Sequence, residues 1–115
     1  AVAEPVAVGL RRYGDHGTKA FAASWRKPVG GTRPIPFKTL LSADFENVAM
    51  AGRSISCEQK MITCVRYIAQ CLATGQAAGT TAALAVKKGG ALVDVGYDGV
   101  RVELEKGGAI LSGPA

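Results

Sequence analysis

The sequence runs to 115 residues, 48% hydrophobic, 20% charged and only 6% aromatic, which allows one small domain and excludes a disordered chain. Nineteen alanines and 15 glycines make up nearly a third of it; such small side chains bury little area at roughly 25 cal/mol per Å², which argues against a self-contained, roomy-cored enzyme and for a piece that packs closely on something else. The net charge of +5 lies entirely in residues 1–40, where Arg11, Arg12, Lys19, Arg26, Lys27, Arg33 and Lys38 outnumber Glu4 and Asp15, while residues 41–115 balance seven cations against seven acids.

In chain order, residues 1–34 read as an irregular basic arm, interrupted by Pro5, Gly9, Gly14, Gly17, Pro28, Gly30, Gly31 and Pro34, with Thr18–Lys27 its one candidate for a short strand or helical turn. The body is residues 35–115. Pro34-Ile35-Pro36 enforces extended backbone leading into Phe37–Leu41, and Ser42-Ala43-Asp44 reads as a turn. Asn47–Gly52 is a short apolar run ending in glycine, the form of a fully buried strand in a parallel sheet. After a loop from Arg53 to about Thr63, a long helix is expected from near Val65 to Lys87-Lys88, stopped by Gly89-Gly90 with the two lysines at its negative end. Asp94 and Asp98 are candidate caps in the connection that follows, Gly99–Lys106 forms a short helix or strand, and residues 107–115 trail off.

Within the long helix, Gly75, Gly79 and Ala83 recur every four residues, and Ala69, Ala73, Ala77 and Ala78 extend the same slim surface. An interior glycine costs a helix about 0.5–1 kcal/mol relative to alanine, so the spacing implies close approach of another backbone or a flat ligand.

Several function classes lose ground at once. Cys57, Cys64 and Cys71 are odd in number, spaced by seven with no CxxC pair, and His16 is far off; this argues against a disulfide scaffold and a metal site, and for a reducing, cytoplasmic setting. Two of the three are expected to be small buried hydrophobes, Cys64 and Cys71 sharing a helix face. Tyr67–Val86 is uncharged and of spanning length, but its glutamines, threonines and glycines make it a buried helix of a larger protein rather than a membrane span. The basic arm with Tyr13, Phe21 and Trp25 would suit nucleic acid, yet no recognition motif accompanies it, so nucleic-acid binding is the lesser reading.

The order of motifs carries a resemblance. Ile35-Pro36-Phe37-Lys38-Thr39-Leu40, then Asn47-Val48-Ala49-Met50-Ala51-Gly52-Arg53, then Val65-Arg66, then Thr74-Gly75-Gln76-Ala77-Ala78-Gly79-Thr80-Thr81-Ala82-Ala83-Leu84 resembles the C-terminal end of bacterial FAD-dependent oxidoreductases, distantly related to fumarate reductase flavoproteins of the glutathione-reductase-type Rossmann superfamily. The resemblance covers about residues 33–110. It implies an α/β fold: the incomplete C-terminal portion of an FAD-binding Rossmann-type domain, one buried strand plus a long Ala/Gly-rich helix. The strand, G-x-G-x-x-G and helix that cradle the FAD pyrophosphate in that family are absent from the sequence. The loop Cys57-Glu58-Gln59-Lys60 departs from the Thr-His common in relatives, so no histidine acid or base carries over.

What the resemblance implies for the site follows residue by residue. Ala51, Gly52, Arg53, Val65, Arg66, Tyr67 and Ile68 fall in the FAD-binding positions. Gly52 would let the cofactor lie against the main chain, and Arg53 would offer its guanidinium fork to phosphate or a substrate carboxylate. The helix start near Arg66 would point its free N–H groups at the flavin pyrimidine edge, where negative charge appears on reduction. Arg66 is the catalytic candidate; the plain alternative for either arginine is a surface ion pair. The implied function is the C-terminal portion, or a small subunit, of an FAD-dependent oxidoreductase acting on a small molecule. It would complete the flavin pocket of a larger chain that carries the missing fold. A non-catalytic assembly module of a flavoprotein complex is the alternative from a different class, ahead of a basic nucleic-acid-binding domain.

Overall fold

The computed structural model describes residues 4–9 and 32–112. Pro5–Gly9 (β1) and Arg33–Pro36 (β2) form an antiparallel ribbon in the register Ala7↔Ile35, Val8↔Pro34 and Gly9↔Arg33, with an irregularity between Pro5 and Ala7. Three of the nine strand residues are prolines, which a ribbon tolerates because each strand has an open edge needing no N–H donor. β1 corrects the expectation of an irregular arm over residues 1–34. Its pairing partner lies more than 20 residues downstream, so no local pattern announces it. Thr18–Lys27, with Phe21 and Trp25, lies outside the described residues.

Phe37–Leu40 is a 3₁₀ turn with Phe37 and Leu40 buried. The turn at Ser42 forms as expected, its Oγ accepting the N–H groups of Asp44 and Phe45 at 3.2 Å. The buried parallel strand expected over Asn47–Gly52 is not there. Ala49 makes only an isolated antiparallel bridge to Leu41, supported by Met50 N–H donating to Leu40 O at 2.6 Å and Ser42 N–H to Val48 O at 3.3 Å. Asn47 is exposed and Val48–Ala51 are half-buried. A central strand needs a neighbour on each side, and the described residues supply one, Leu40–Ser42.

Three helices follow: Ile62–Val65 (α1), Ile68–Lys88 (α2) and Tyr97–Lys106 (α3). The long helix expected from near Val65 to Lys87-Lys88 is α2; it starts at Ile68 because Tyr67 is extended (φ −76°, ψ 157°) and makes a break between α2 and α1, which falls at the end of the stretch expected as loop. The break also puts Cys64 and Cys71 on different helices: Cys64 is buried, Cys71 half-buried and Cys57 exposed. At the far end Gly89 adopts φ +66° and closes α2 with a left-handed cap after Lys87 and Lys88, as the Gly-Gly pair predicts.

α2 buries Gln70, Thr74, Ala77, Thr81 and Ala85, a face repeating every three or four residues. Thr74 and Thr81 donate their hydroxyls to the carbonyls of Gln70 and Ala77 at 2.8 Å, so polar side chains sit inside without an unmet donor. Against this face lie β1 and α3. α3 contributes Val100 and Leu104 to a core that includes Val6, Ile35, Phe37 and Leu40. Tyr97 ties α3 to the ribbon through Oη–H donating to Pro5 O at 2.9 Å, with its ring 6.2 Å from that of Phe37. Asp94 accepts the Ala91 N–H at 3.3 Å and Asp98 stands in the first turn of α3.

Among the described residues nothing covers the opposite face of α2. A Cβ built on Gly75 or Gly79 would meet nothing within 4 Å, and Ile68, Leu72 and Val86 on the same side are 80%, 70% and 82% exposed. Among the described residues the Gly75–Gly79–Ala83 stripe thus makes no close contact, so the close approach that its spacing implies is not made by them. The buried alanines Ala77 and Ala85 belong to the other face.

Candidate functional site

The residues singled out from the sequence gather where the loop after Ala49 meets the start of α2. Ala51 is extended (φ −143°, ψ 163°) and hands the chain to a 3₁₀ turn, Gly52–Ser54. Gly52 is buried with φ +63°, a left-handed conformation that side chains resist. A Cβ there would also press on Cys71 Sγ at 3.3 Å.

What holds the turn is a side chain sequence reasoning passed over. Gly52 N–H donates to Thr74 Oγ1 at 2.9 Å, and that hydroxyl donates onward to Gln70 O at 2.8 Å. Cys71, one turn earlier, donates its thiol to Arg66 O at 3.6 Å. Gly52 and Arg66 are in this way locked to the first two turns of α2 by Thr74 and Cys71. The signal that could have found Thr74 is its place at i+4 from Gln70, where a threonine hydroxyl bonds back along the helix and keeps lone pairs for a second donor.

Thr74→Val removes the acceptor and strands the buried Gly52 N–H, which typically costs about 1–3 kcal/mol. Thr74→Ser keeps the hydroxyl. Denaturant midpoints are expected to fall clearly for the valine variant and little for the serine one; equal midpoints would mean that the clamp contributes nothing.

Arg53 is exposed and Arg66 half-buried, and among the described residues neither guanidinium pairs with a carboxylate; the ion pairs there are Arg101–Glu105 at 2.9 Å and Lys106–Glu103 at 2.8 Å, both on the exposed face of α3. The Arg66 guanidinium carbon lies 5.7 Å from the centroid of the Tyr67 ring, within cation–π range. Val65, by contrast, is buried in the core at 3% exposure, so its side chain faces the interior.

The end of α2 beside Arg66 is open. Tyr67 stands at the N-cap and, among the described residues, no side chain caps the helix. The N–H groups of Ile68, Ala69 and Gln70 have no acceptor within the helix, and Ile68 and Ala69 are exposed. Twenty-one residues of aligned peptide dipoles put a partial positive charge here, and Arg66 adds a full one. The arrangement suits an electron-rich edge that gains negative charge.

Nearby, Cys57 and Glu58 border an apolar groove of about 380 Å³ with Ile35, Ile55, Met61 and Val65. Partial burial pushes the Cys57 thiol up from its ordinary value, which keeps it protonated and a poor nucleophile at neutral pH. Among the described residues no group of three or more His, Cys, Asp or Glu is placed to hold a metal, and no helix is long and apolar enough to cross a membrane.

A family model described as FAD dependent oxidoreductase matches residues 1–104 of the chain. No curated protein and no solved structure matches it.

Proposed function

The chain belongs to the FAD-dependent oxidoreductase family, whose cofactor is FAD, and we propose that it forms one side of a flavin pocket completed by a larger flavoprotein part. The observation that carries this reading is the open, uncapped end of α2 beside Arg66, fixed against the Gly52 turn through Cys71 and Thr74. The residues present fit the cofactor. Gly52 offers main chain without a Cβ, the first turn of α2 offers N–H groups with no acceptor in the helix, and a buried amide oxygen of Gln70 has no hydrogen-bond partner among the described residues.

FAD, when bound, supplies the two-electron step, exchanging a hydride with a small-molecule substrate. Arg66 and the α2 N–H groups would hold the cofactor's electron-rich edge and favour negative charge there. Ala51 and Gly52 would give the cofactor a close-fitting wall, with Tyr67 and Ile68 at the helix entrance. Arg53 stands exposed for a phosphate or a substrate carboxylate, its fork suited to either. The finer placement, within the bacterial branch related to fumarate reductase flavoproteins, rests on the motif order from Ile35 to Leu84. A cytoplasmic setting fits the three free thiols.

The partner is the part of the fold bearing the dinucleotide-binding strand, glycine loop and helix. Two features support it: the sequence lacks that glycine pattern, and Ile68, Leu72 and Val86 stand exposed on one face of α2 that no described residue covers. With the pyrophosphate cradle missing, the chain by itself is expected not to quench flavin fluorescence at micromolar FAD. Adding the dinucleotide-binding part should give a yellow complex. Tight FAD binding by the chain alone would overturn the divided pocket, and a stable colourless complex would make the chain an assembly module.

A further inference from the structure

Between β1, the first turns of α2 and the C-terminal residues runs a groove of about 480 Å³, bordered by Val8, Thr32, Ala69, Gln70, Ala73 and Ala109. Gln70 is only 4% exposed. Its Nε2 donates to Val8 O at 3.5 Å, the outer limit for such a bond, and its Oε1 is buried with no partner among the described residues. Buried amide oxygens are seldom left so. A carboxamide held this loosely turns about its terminal torsion at small cost, toward the groove it borders.

Gln70 is also the third residue of α2. The helix end presents donors only, so Gln70 Oε1 adds an acceptor at a donor-rich place. The matching ligand edge carries an N–H beside a carbonyl. A phosphate has no such donor; the imide of a flavin, one N–H between two carbonyls, has it. We propose that Gln70 Oε1 accepts the imide N3–H of the flavin and makes the pocket selective for an unsubstituted imide. This rests on the pocket reading above and adds to it the residue that reads the pyrimidine ring.

The test uses FAD and N3-methyl-FAD, titrated by equilibrium dialysis into the flavoprotein assembled with its dinucleotide-binding part, as wild type and as Gln70→Leu. Wild type is expected to bind FAD at least tenfold more tightly than the methylated cofactor. Gln70→Leu is expected to bind FAD about tenfold more weakly than wild type, the worth of one such bond, and to distinguish the two cofactors far less. Equal affinity of wild type for both cofactors overturns the proposal without need of the variant. So does an unchanged preference in Gln70→Leu, which would mean that a group other than Gln70 reads the imide. If wild type binds neither cofactor, the pocket reading itself fails and this inference with it.

Discussion

Gly79→Leu is expected to leave the chain's own fold intact, and even to stabilise it slightly, while breaking its union with the rest of the flavoprotein. The two halves of that expectation come from different states of one helix face. A Cβ at Gly79 meets nothing within 4 Å among the described residues, so leucine is expected to bring no clash. Replacing an exposed interior glycine with leucine also recovers most of the roughly 0.8–1 kcal/mol of helix propensity that separates glycine from alanine. In the proposed assembly, the stripe of Gly75, Gly79 and Ala83, flanked by Ile68, Leu72 and Val86, would be the contact surface, and a leucine inserted into a close contact typically costs 1–3 kcal/mol. That corresponds to roughly 5- to 150-fold weaker association. Thermal unfolding of the chain reads the first half, and co-elution with the dinucleotide-binding part reads the second. Unimpaired assembly with normal FAD uptake would mean that this face stays in water, and the partner would have to be sought elsewhere on the surface.

This face also shows where sequence reading stops. The C-terminal stop of α2 was legible because Gly89 needs a positive φ, a local demand that glycine meets. The extended path of Pro34–Pro36 was legible because proline fixes its own backbone. Gly52 was legible as a special position, but not its partner, since the bond to Thr74 spans 22 residues. The ribbon partner of β1 and the unpaired state of Asn47–Gly52 depend on which segments stand beside them, and no window of sequence records that. The inner face of α2 was the least legible of all. Thr74 and Thr81 are buried while Ile68 and Val86 are exposed, the reverse of the ordinary rule for apolar and polar residues. An amphipathic pattern assigns the inside of a helix only when one side meets water. α2 is apolar or small on nearly every side, and the chain uses one side of it.

Arg66→Ala is the variant with the sharpest functional consequence. Arg66 sits at the bend between α1 and α2, its carbonyl accepting the Cys71 thiol and its guanidinium near the Tyr67 ring. Neither contact neutralises its charge, and no carboxylate among the described residues pairs with it. If the flavin pyrimidine edge is what it faces, the arginine acts on the reduced cofactor more than on the oxidised one, because the negative charge arises there on reduction. Removing one charge-assisted hydrogen bond is expected to cost about 1.5–3 kcal/mol. For two electrons this lowers the midpoint potential by roughly 30–65 mV, with FAD still bound through the other contacts. Arg66→Lys should restore part of the shift, since it keeps the charge and loses only the planar fork. If Arg66 instead holds a substrate carboxylate, the potential stays put and KM rises in Arg66→Ala. Spectroelectrochemical titration of the assembled flavoprotein, alongside steady-state kinetics, separates the two. A variant with unchanged potential and unchanged KM would take Arg66 out of the site and the open end of α2 away from the flavin.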